Sequence, residues 1–257
     1  MILTDDFVFI HEPKTGGTFV TEMLRRIYEP AKKAGPITRA LRRARDGRKL
    51  MVDTRKHGTC SEIPRSHCRQ PILATIRNPY DRYVSQYEFA WWKDRPPAHW
   101  DIEKLRKQFP HYPHLTFAEF VGLSNTLFMQ LKNDRFPPDE SLGRQTEQFV
   151  RYFFRRPEQV FPAIDADYLA ARRFEADMFP VEFIRTDRLN QELHEFLVKI
   201  GHAPGRVEFI LGANKVFPKE GGRANDQPWQ NYYTPELKRE VRTKERLLFS
   251  LFPAFDV

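Results

Sequence analysis

The chain has 257 residues, a length that suits one large domain or two small ones. A hydrophobic fraction of 40% that includes 22 Phe can fill a core, which excludes an intrinsically disordered chain. The net charge is +8, and no apolar run approaches the roughly 18–20 residues that span a bilayer. We therefore expect a cytoplasmic protein without a membrane span, unless the chain was trimmed from a membrane-anchored parent.

The first predicted elements are a buried strand at residues 7–11 and an amphipathic helix at residues 18–28. The loop between them consists of Pro13, Lys14, Thr15, Gly16, Gly17 and Thr18. Unpaired N–H groups in the first turn of such a helix bind anions, and glycines let the backbone curl around the ligand. Lys14 adds a positive charge, and the threonines add hydroxyl donors. The pattern predicts a phosphate-binding loop.

A basic stretch follows at residues 31–49, where eight Lys or Arg side chains accompany one acid, Asp46. Such a stretch favours an anionic partner, although a solvated basic helix at residues 38–45 explains the charges equally well. No zinc-finger spacing and no aromatic RNA-binding motif accompanies the stretch. We therefore do not expect a nucleic-acid partner.

A second strand is predicted at residues 72–76, and a helix that begins at Pro79 follows it. Arg77 lies at the carboxyl end of this strand, where open α/β sheets bind their ligands. Ser85 lies about two turns into the helix. An arginine fork and a hydroxyl suit a second phosphate, whereas the simpler explanation is a structural arginine that pairs with Asp81.

Most of the remaining chain is predicted to be helical, after an excursion at residues 93–113 that is rich in Pro, His and aromatic side chains. One further strand is predicted at residues 181–185. The other predicted helices begin at Thr116 or cover residues 143–154, 163–177, 189–200 and 235–249. Short buried strands that alternate with helices predict an α/β fold, a P-loop-type parallel β-sheet flanked by helices on both faces.

The phosphate loop differs from the Walker A pattern because Lys14 precedes the glycines instead of following them. The strand at residues 72–76 also ends in Arg77 rather than in the aspartate that holds magnesium in ATP- and GTP-binding enzymes. Both features favour a phosphate ligand that is handled without metal. Together, residues 7–18 and 77–87 closely resemble the sulfotransferases that use 3′-phosphoadenosine 5′-phosphosulfate (PAPS), in particular the carbohydrate-type and bacterial branch.

The resemblance implies a role for each matching residue. Lys14 stabilises charge on the bridging oxygen as the sulfate leaves, and the whole loop from Pro13 to Thr18 binds the 5′-phosphate. Arg77 and Ser85 hold the 3′-phosphate. Arg223, which follows two glycines, belongs to a loop that closes over the cofactor. The implied cofactor is PAPS, the product is 3′,5′-ADP, and no metal is required.

Sulfuryl transfer to an alcohol also needs a base that removes the hydroxyl proton. The segment that contains His57 resembles one in related sulfotransferases, where this histidine is the proposed base, and we predict that role here. Glu88, about one turn beyond Ser85, is a second catalytic candidate. His11, Glu12 and His67 are the remaining alternatives.

The acceptor is predicted to be a hydroxyl-bearing glycan or small molecule, and the basic stretch makes an anionic glycan one candidate. We expect one domain over residues 1–257, with residues 93–180 as an excursion on the acceptor side. Two other functions stay open. One is a P-loop kinase or nucleotide hydrolase, which would depend on magnesium, and the other is a non-enzymatic binder of acidic polymers through residues 31–49.

Overall fold

The computed structural model describes residues 1–30, 50–94, 96, 101–127, 142–214 and 227–257. The basic stretch 31–49 and Arg223 therefore lie outside the described residues. The described residues divide into two compact units. The sheet unit lies within Met1–Arg77, Tyr152–Arg155 and Met178–Val216, and the helical unit lies within Asn78–Arg151, Arg156–Asp177 and Phe217–Val257.

A sheet with the strand order β3-β4-β1-β2-β5-β6 forms the frame of the sheet unit. The strands are β1 (Ile2–Thr4), β2 (Val8–Ile10), β3 (Glu29–Pro30), β4 (Leu50–Asp53), β5 (Ile72–Ile76) and β6 (Val181–Arg185). β2, β5 and β6 are parallel neighbours, with Val8 opposite Ile72 and Ile76 opposite Arg185. These are the three strands predicted from the sequence, and their parallel pairing confirms the predicted α/β fold.

β1 is a strand that the sequence pattern did not indicate. It runs antiparallel to both β2 and β4. Thr4 ends this strand, because its hydroxyl oxygen accepts hydrogen bonds from the N–H groups of Asp6 and Phe7 at 3.1 and 2.9 Å. The resulting tight turn leads the chain directly into β2, so the sheet carries an antiparallel strand beside its parallel part.

In chain order, the helices are α1 (Gly17–Ile27), α2 (Pro79–Phe89), α3 (Trp91–Asp94), α4 (Ile102–Gln108), α5 (Phe117–Leu127), α6 (Arg144–Phe153), α7 (Pro157–Val160), α8 (Ala166–Ala170), α9 (Phe174–Asp177), α10 (Leu189–Lys199), α11 (Pro204–Val207), α12 (Pro235–Lys244) and α13 (Arg246–Leu251). Three of these helices, α1, α10 and α11, belong to the sheet unit, and the others lie wholly or mostly in the helical unit. None of the described helices combines the length and the apolar character needed to cross a membrane.

Two predicted helices are each divided in the structure. The helix predicted at residues 163–177 is interrupted at Arg172, whose φ of 50° lies outside the right-handed helical region. The helix predicted at residues 235–249 is interrupted at Glu245. The buried Glu245 carboxylate accepts hydrogen bonds from the N–H groups of Gln145 and Thr146, at the start of α6. Neither break contains a glycine or a proline that would have indicated it in the sequence.

Apolar side chains cover both faces of the sheet. Phe7, Leu73 and Ile184 share a core on one face with side chains from α1 and α10. Phe183, which alternates with Ile184, packs edge-on against Phe153 with ring centroids 5.0 Å apart. Burial of each such side chain stabilises the fold by about 1.5–3 kcal/mol. The core therefore fixes the strand ends, where the predicted site residues lie.

In the helical unit, α2 begins where the sequence predicts. The Asn78 side chain accepts a hydrogen bond from the N–H of Tyr80 at 2.9 Å, and Pro79 occupies the first helical turn. Further along α2, the Tyr83 hydroxyl lies 2.6 Å from a carboxylate oxygen of Glu245. This helix carries Ser85 and Glu88.

Candidate functional site

The predicted phosphate loop connects β2 to α1, and it is tightly curled. Lys14 and Gly16 have positive φ angles of 66° and 95°. Gly16 is also the N-cap of α1, and a Cβ atom there would lie 2.9 Å from the side chain of Leu189. A Cβ atom on Gly17 would collide with the imidazole of His11. Both glycines are therefore required for the backbone path that leads into the first turn of α1.

Threonine side chains tie the loop to the ends of the neighbouring strands. The buried Thr15 hydroxyl donates to the carbonyl of Glu12 at 2.8 Å and lies 2.7 Å from the hydroxyl of Thr75 in β5. Thr186, which follows β6, places its hydroxyl 2.7 Å from the Thr15 carbonyl and 3.0 Å from the Ile76 carbonyl. The side chain and the carbonyl of Thr15 thus hold the loop in place, and its main-chain N–H is the group that can meet a ligand.

Two cations meet where β2 and β5 end. The Arg77 guanidinium lies 3.5 Å from the carbonyl oxygen of Lys14. Burial and the positive charge of Arg77 lower the pKa of the Lys14 ammonium to about 8. Because the two positive charges disfavour each other, a multiply charged anion bound between them would stabilise both. The carboxyl ends of parallel strands such as β2 and β5 are where open α/β sheets bind ligands.

His57 lies beside the same loop. Its Nδ1 atom is 3.1 Å from the main-chain carbonyl of His11. Because a carbonyl only accepts, Nδ1 carries the proton in this contact, and Nε2 of the neutral ring offers a lone pair. Burial lowers the pKa of His57, so the ring is neutral at neutral pH. The structure thus gives the predicted base the tautomer that a base requires.

His11 connects His57 to the phosphate loop. Its ring packs against Gly17 and lies edge-on to the ring of His57, with centroids 5.2 Å apart. Burial, with a smaller effect from His57, lowers the pKa of His11 to about 3. His11 is therefore a neutral spacer between the loop and the predicted base.

Glu12 directly precedes the loop, but it is fully buried. His67 pairs away from the loop, with its Nδ1 atom 2.8 Å from the hydroxyl of Ser66. Ser85 and Glu88 belong to the helical unit, one turn apart on α2, and Glu88 accepts a hydrogen bond from the Tyr232 hydroxyl at 2.7 Å. The sheet unit thus brings together the phosphate loop, Arg77 and His57. Arg223 lies outside the described residues.

A cavity of about 410 Å³, lined by residues with polar or charged side chains, adjoins the loop within the sheet unit. It is lined by Thr18, Thr21, Glu22 and Arg25 of α1 and by Asp53, Thr54 and Lys56, at and after the end of β4. Sequence reasoning missed this cavity, although the polar positions 18, 21, 22 and 25 follow helical spacing and mark one face of α1. The approach of residues 53–56 to that face is a long-range contact without a local signal.

Within the described ranges, no group of three or more His, Cys, Asp or Glu side chains is placed to hold a metal ion.

No family model and no curated protein sequence matches this chain. Among solved structures, mouse sulfotransferase SULT7A1 in complex with PAP is similar to it. The two share 17% sequence identity over 98% of this chain and 87% of that chain, with a TM-score of 0.49.

Proposed function

We propose that this chain is a sulfotransferase that transfers a sulfuryl group from PAPS to a hydroxyl of a glycan or small-molecule acceptor and releases 3′,5′-ADP. The observation that carries the proposal is the arrangement of Lys14, Arg77 and His57 around one glycine loop. Two cations suit a highly anionic donor, and a neutral imidazole suits the removal of a hydroxyl proton.

The residues of the sheet unit fit the phosphosulfate end of PAPS. The first turn of α1 supplies main-chain N–H groups, and the helix dipole is positive there. Lys14 and Arg77 supply the charge that a bisphosphate with an added sulfate requires. The further roles that the resemblance assigns to Ser85, Glu88 and Arg223 stay predictions.

The proposed reaction uses two side chains directly. His57 accepts the acceptor's hydroxyl proton at Nε2 as that oxygen bonds to sulfur, while Nδ1 stays on the His11 carbonyl. The bond between sulfur and the bridging oxygen breaks, and Lys14 stabilises the negative charge that develops on this oxygen. The charge grows only as the bond breaks, so Lys14 contributes more to the transition state than to binding.

Ligand-dependent thermal unfolding tests the proposal. Purified full-length protein is heated with PAPS, with 3′,5′-ADP, or with ATP or GTP plus magnesium. We expect PAPS and 3′,5′-ADP to raise Tm, because a ligand at 100 times its Kd adds about 2.7 kcal/mol to the free energy of unfolding. Sulfate transfer should also continue in EDTA. Stabilisation by magnesium-ATP but not by 3′,5′-ADP would instead support a kinase or nucleotide hydrolase.

A further inference from the structure

The Thr186 hydroxyl joins the phosphate loop to the end of β5. It lies 2.7 Å from the Thr15 carbonyl and 3.0 Å from the Ile76 carbonyl. We propose, on the basis of the proposed function, that Thr186 is a positioning residue for the donor. It fixes the peptide between Thr15 and Gly16 so that the Gly16 N–H faces the 5′-phosphate.

The Thr15 carbonyl sets the direction of the N–H that follows it. A trans peptide is planar, and its C=O and N–H groups point in opposite directions. Because the Thr15 carbonyl is turned toward Thr186, the Gly16 N–H points away from Thr186. Among the described residues, none accepts a hydrogen bond from this N–H. Gly16 is the N-cap of α1, so its N–H joins those of the first helical turn as a donor to an anion.

Gly16 does not hold this peptide in place by itself. Its φ is 95°, and glycine adopts positive and negative φ values about equally readily. Rotation of the peptide by half a turn would point the Thr15 carbonyl oxygen where the N–H was, and the partial negative charge of that oxygen repels an anion. The Thr15 hydroxyl is engaged elsewhere, with the Glu12 carbonyl and the Thr75 hydroxyl. The hydrogen bond from Thr186 therefore supplies the restraint.

Thr186 also contacts the loop through its methyl group and reaches Arg77 through its second acceptor. A Cβ atom on Gly16 would lie 3.4 Å from Cγ2 of Thr186, so this methyl group lies against Gly16. The Ile76 carbonyl belongs to the peptide that leads into Arg77. A hydroxyl carries one hydrogen, so the two carbonyls share it. The same side chain thus holds the loop and the start of Arg77 in one arrangement, which a ligand bound by both requires.

Calorimetric titration with three probes tests the proposal. The probes are 3′,5′-ADP, adenosine 3′-phosphate, which lacks the 5′-phosphate, and inorganic pyrophosphate, which needs no nucleotide site. Thr186→Val keeps the shape of the side chain and removes the hydroxyl. We expect it to weaken binding of 3′,5′-ADP and of pyrophosphate by roughly tenfold or more, because a donor to a charged group is lost. Binding of adenosine 3′-phosphate should stay within about twofold, which also shows that the variant is folded.

Two further variants separate the hydroxyl from other effects. Thr186→Ser keeps the hydroxyl and removes the methyl group, and it should bind all three probes within about threefold of the wild type. Thr243→Val is the matched control, because it removes a threonine hydroxyl that donates to the Arg239 carbonyl at 3.0 Å within α12. This control should leave all three affinities unchanged.

Three outcomes would overturn the role of Thr186 while the wild type still binds 3′,5′-ADP. They are an unchanged affinity in Thr186→Val, an equal loss in Thr186→Ser, and an equal loss of adenosine 3′-phosphate binding. A wild-type protein that binds pyrophosphate but not 3′,5′-ADP would refute the proposed function alone, and pyrophosphate binding by Thr186→Val would then decide the role of Thr186. A wild-type protein that binds none of the probes would refute both.

Discussion

His57 and Lys14 need opposite protonation states in the proposed reaction. His57 must be neutral to accept a proton, and burial lowers its pKa, so this condition holds at neutral pH. Lys14 must be charged to stabilise the leaving oxygen, and its pKa of about 8 keeps it charged below that value. Burial therefore keeps His57 neutral, and burial also confines the charged form of Lys14 to pH values below about 8.

Replacing the proposed base separates chemistry from binding. We expect His57→Ala to lower turnover roughly 10²–10⁴-fold, because general-base catalysis contributes that much. The affinity for 3′,5′-ADP, measured by titration calorimetry, should stay within about twofold, since His57 contacts no donor phosphate in the proposal. His194→Ala on α10 is the control and should retain both quantities. Turnover retained in His57→Ala would move the role to Glu88 or Glu12.

The low pKa of Lys14 predicts an alkaline limit. The free enzyme loses the Lys14 charge as the pH rises above about 8, so kcat/KM for PAPS should decline there. Lys14→Arg keeps its charge because arginine stays protonated, and the decline should move to higher pH even if the maximum rate falls. Initial rates at saturating acceptor from pH 6 to 10 provide the measurement. The same alkaline limb in both proteins would show that another group titrates.

At the scale of elements, the phosphate loop depends on close contacts as much as on charge. Gly16 and Gly17 each lie against a side chain, Leu189 in one case and His11 in the other. Thr186 then holds the loop against the end of β5. The loop is thus shaped by α10, β5 and β6 together rather than by its own six residues.

One added methyl group tests this packing. We expect Gly17→Ala to weaken 3′,5′-ADP binding at least tenfold and to lower the free energy of unfolding by about 1–3 kcal/mol, because its Cβ collides with His11. Gly205→Ala in α11 is the matched control, since the described residues place no atom within 4 Å of the added Cβ. Calorimetry and urea unfolding report the two effects. If Gly17→Ala bound 3′,5′-ADP with wild-type affinity, the loop would accommodate the added methyl group without loss of binding.

For the whole molecule, sequence reasoning succeeded where signals are local. The buried runs of β2, β5 and β6 and the glycines after β2 are visible as short patterns, and so the α/β fold and the loop were predictable. The antiparallel β1 depends on a side-chain turn at Thr4, and the break at Glu245 depends on N–H groups 99 and 100 residues away. The cavity likewise depends on a contact between α1 and the end of β4. Such pairings arise from tertiary packing, which no window of sequence contains.

Burial of two neutral histidines makes the stability of the molecule depend on pH. The folded-state pKa of His11, about 3, lies below its ordinary value of 6.5, so the stabilisation is complete above pH 6.5 and is lost as the pH falls. His57 shifts in the same direction. We expect His11 to lower the free energy of unfolding by up to about 1.4 kcal/mol per pH unit between pH 6 and 4.

Urea unfolding at several pH values measures this slope. His11→Gln should flatten it, whatever its effect on stability at pH 7, because the glutamine does not titrate. His194→Ala, which removes a histidine of α10 outside the site, serves again as the control. An equal slope in wild type and His11→Gln would assign the acid sensitivity to other groups.

The hydrogen bonds of the Thr186 hydroxyl affect the order in which the contacts of the phosphate loop form. Thr186 is 171 residues from Thr15 and 110 residues from Ile76, and its hydroxyl bonds to the carbonyl of each. Closing such long loops is slow, and contacts of this kind form late in folding. On the ribosome, the phosphate loop emerges first but lacks its clamp until β6 and Thr186 have left the exit tunnel. A nascent chain therefore completes the proposed phosphate loop only after Thr186 has been translated.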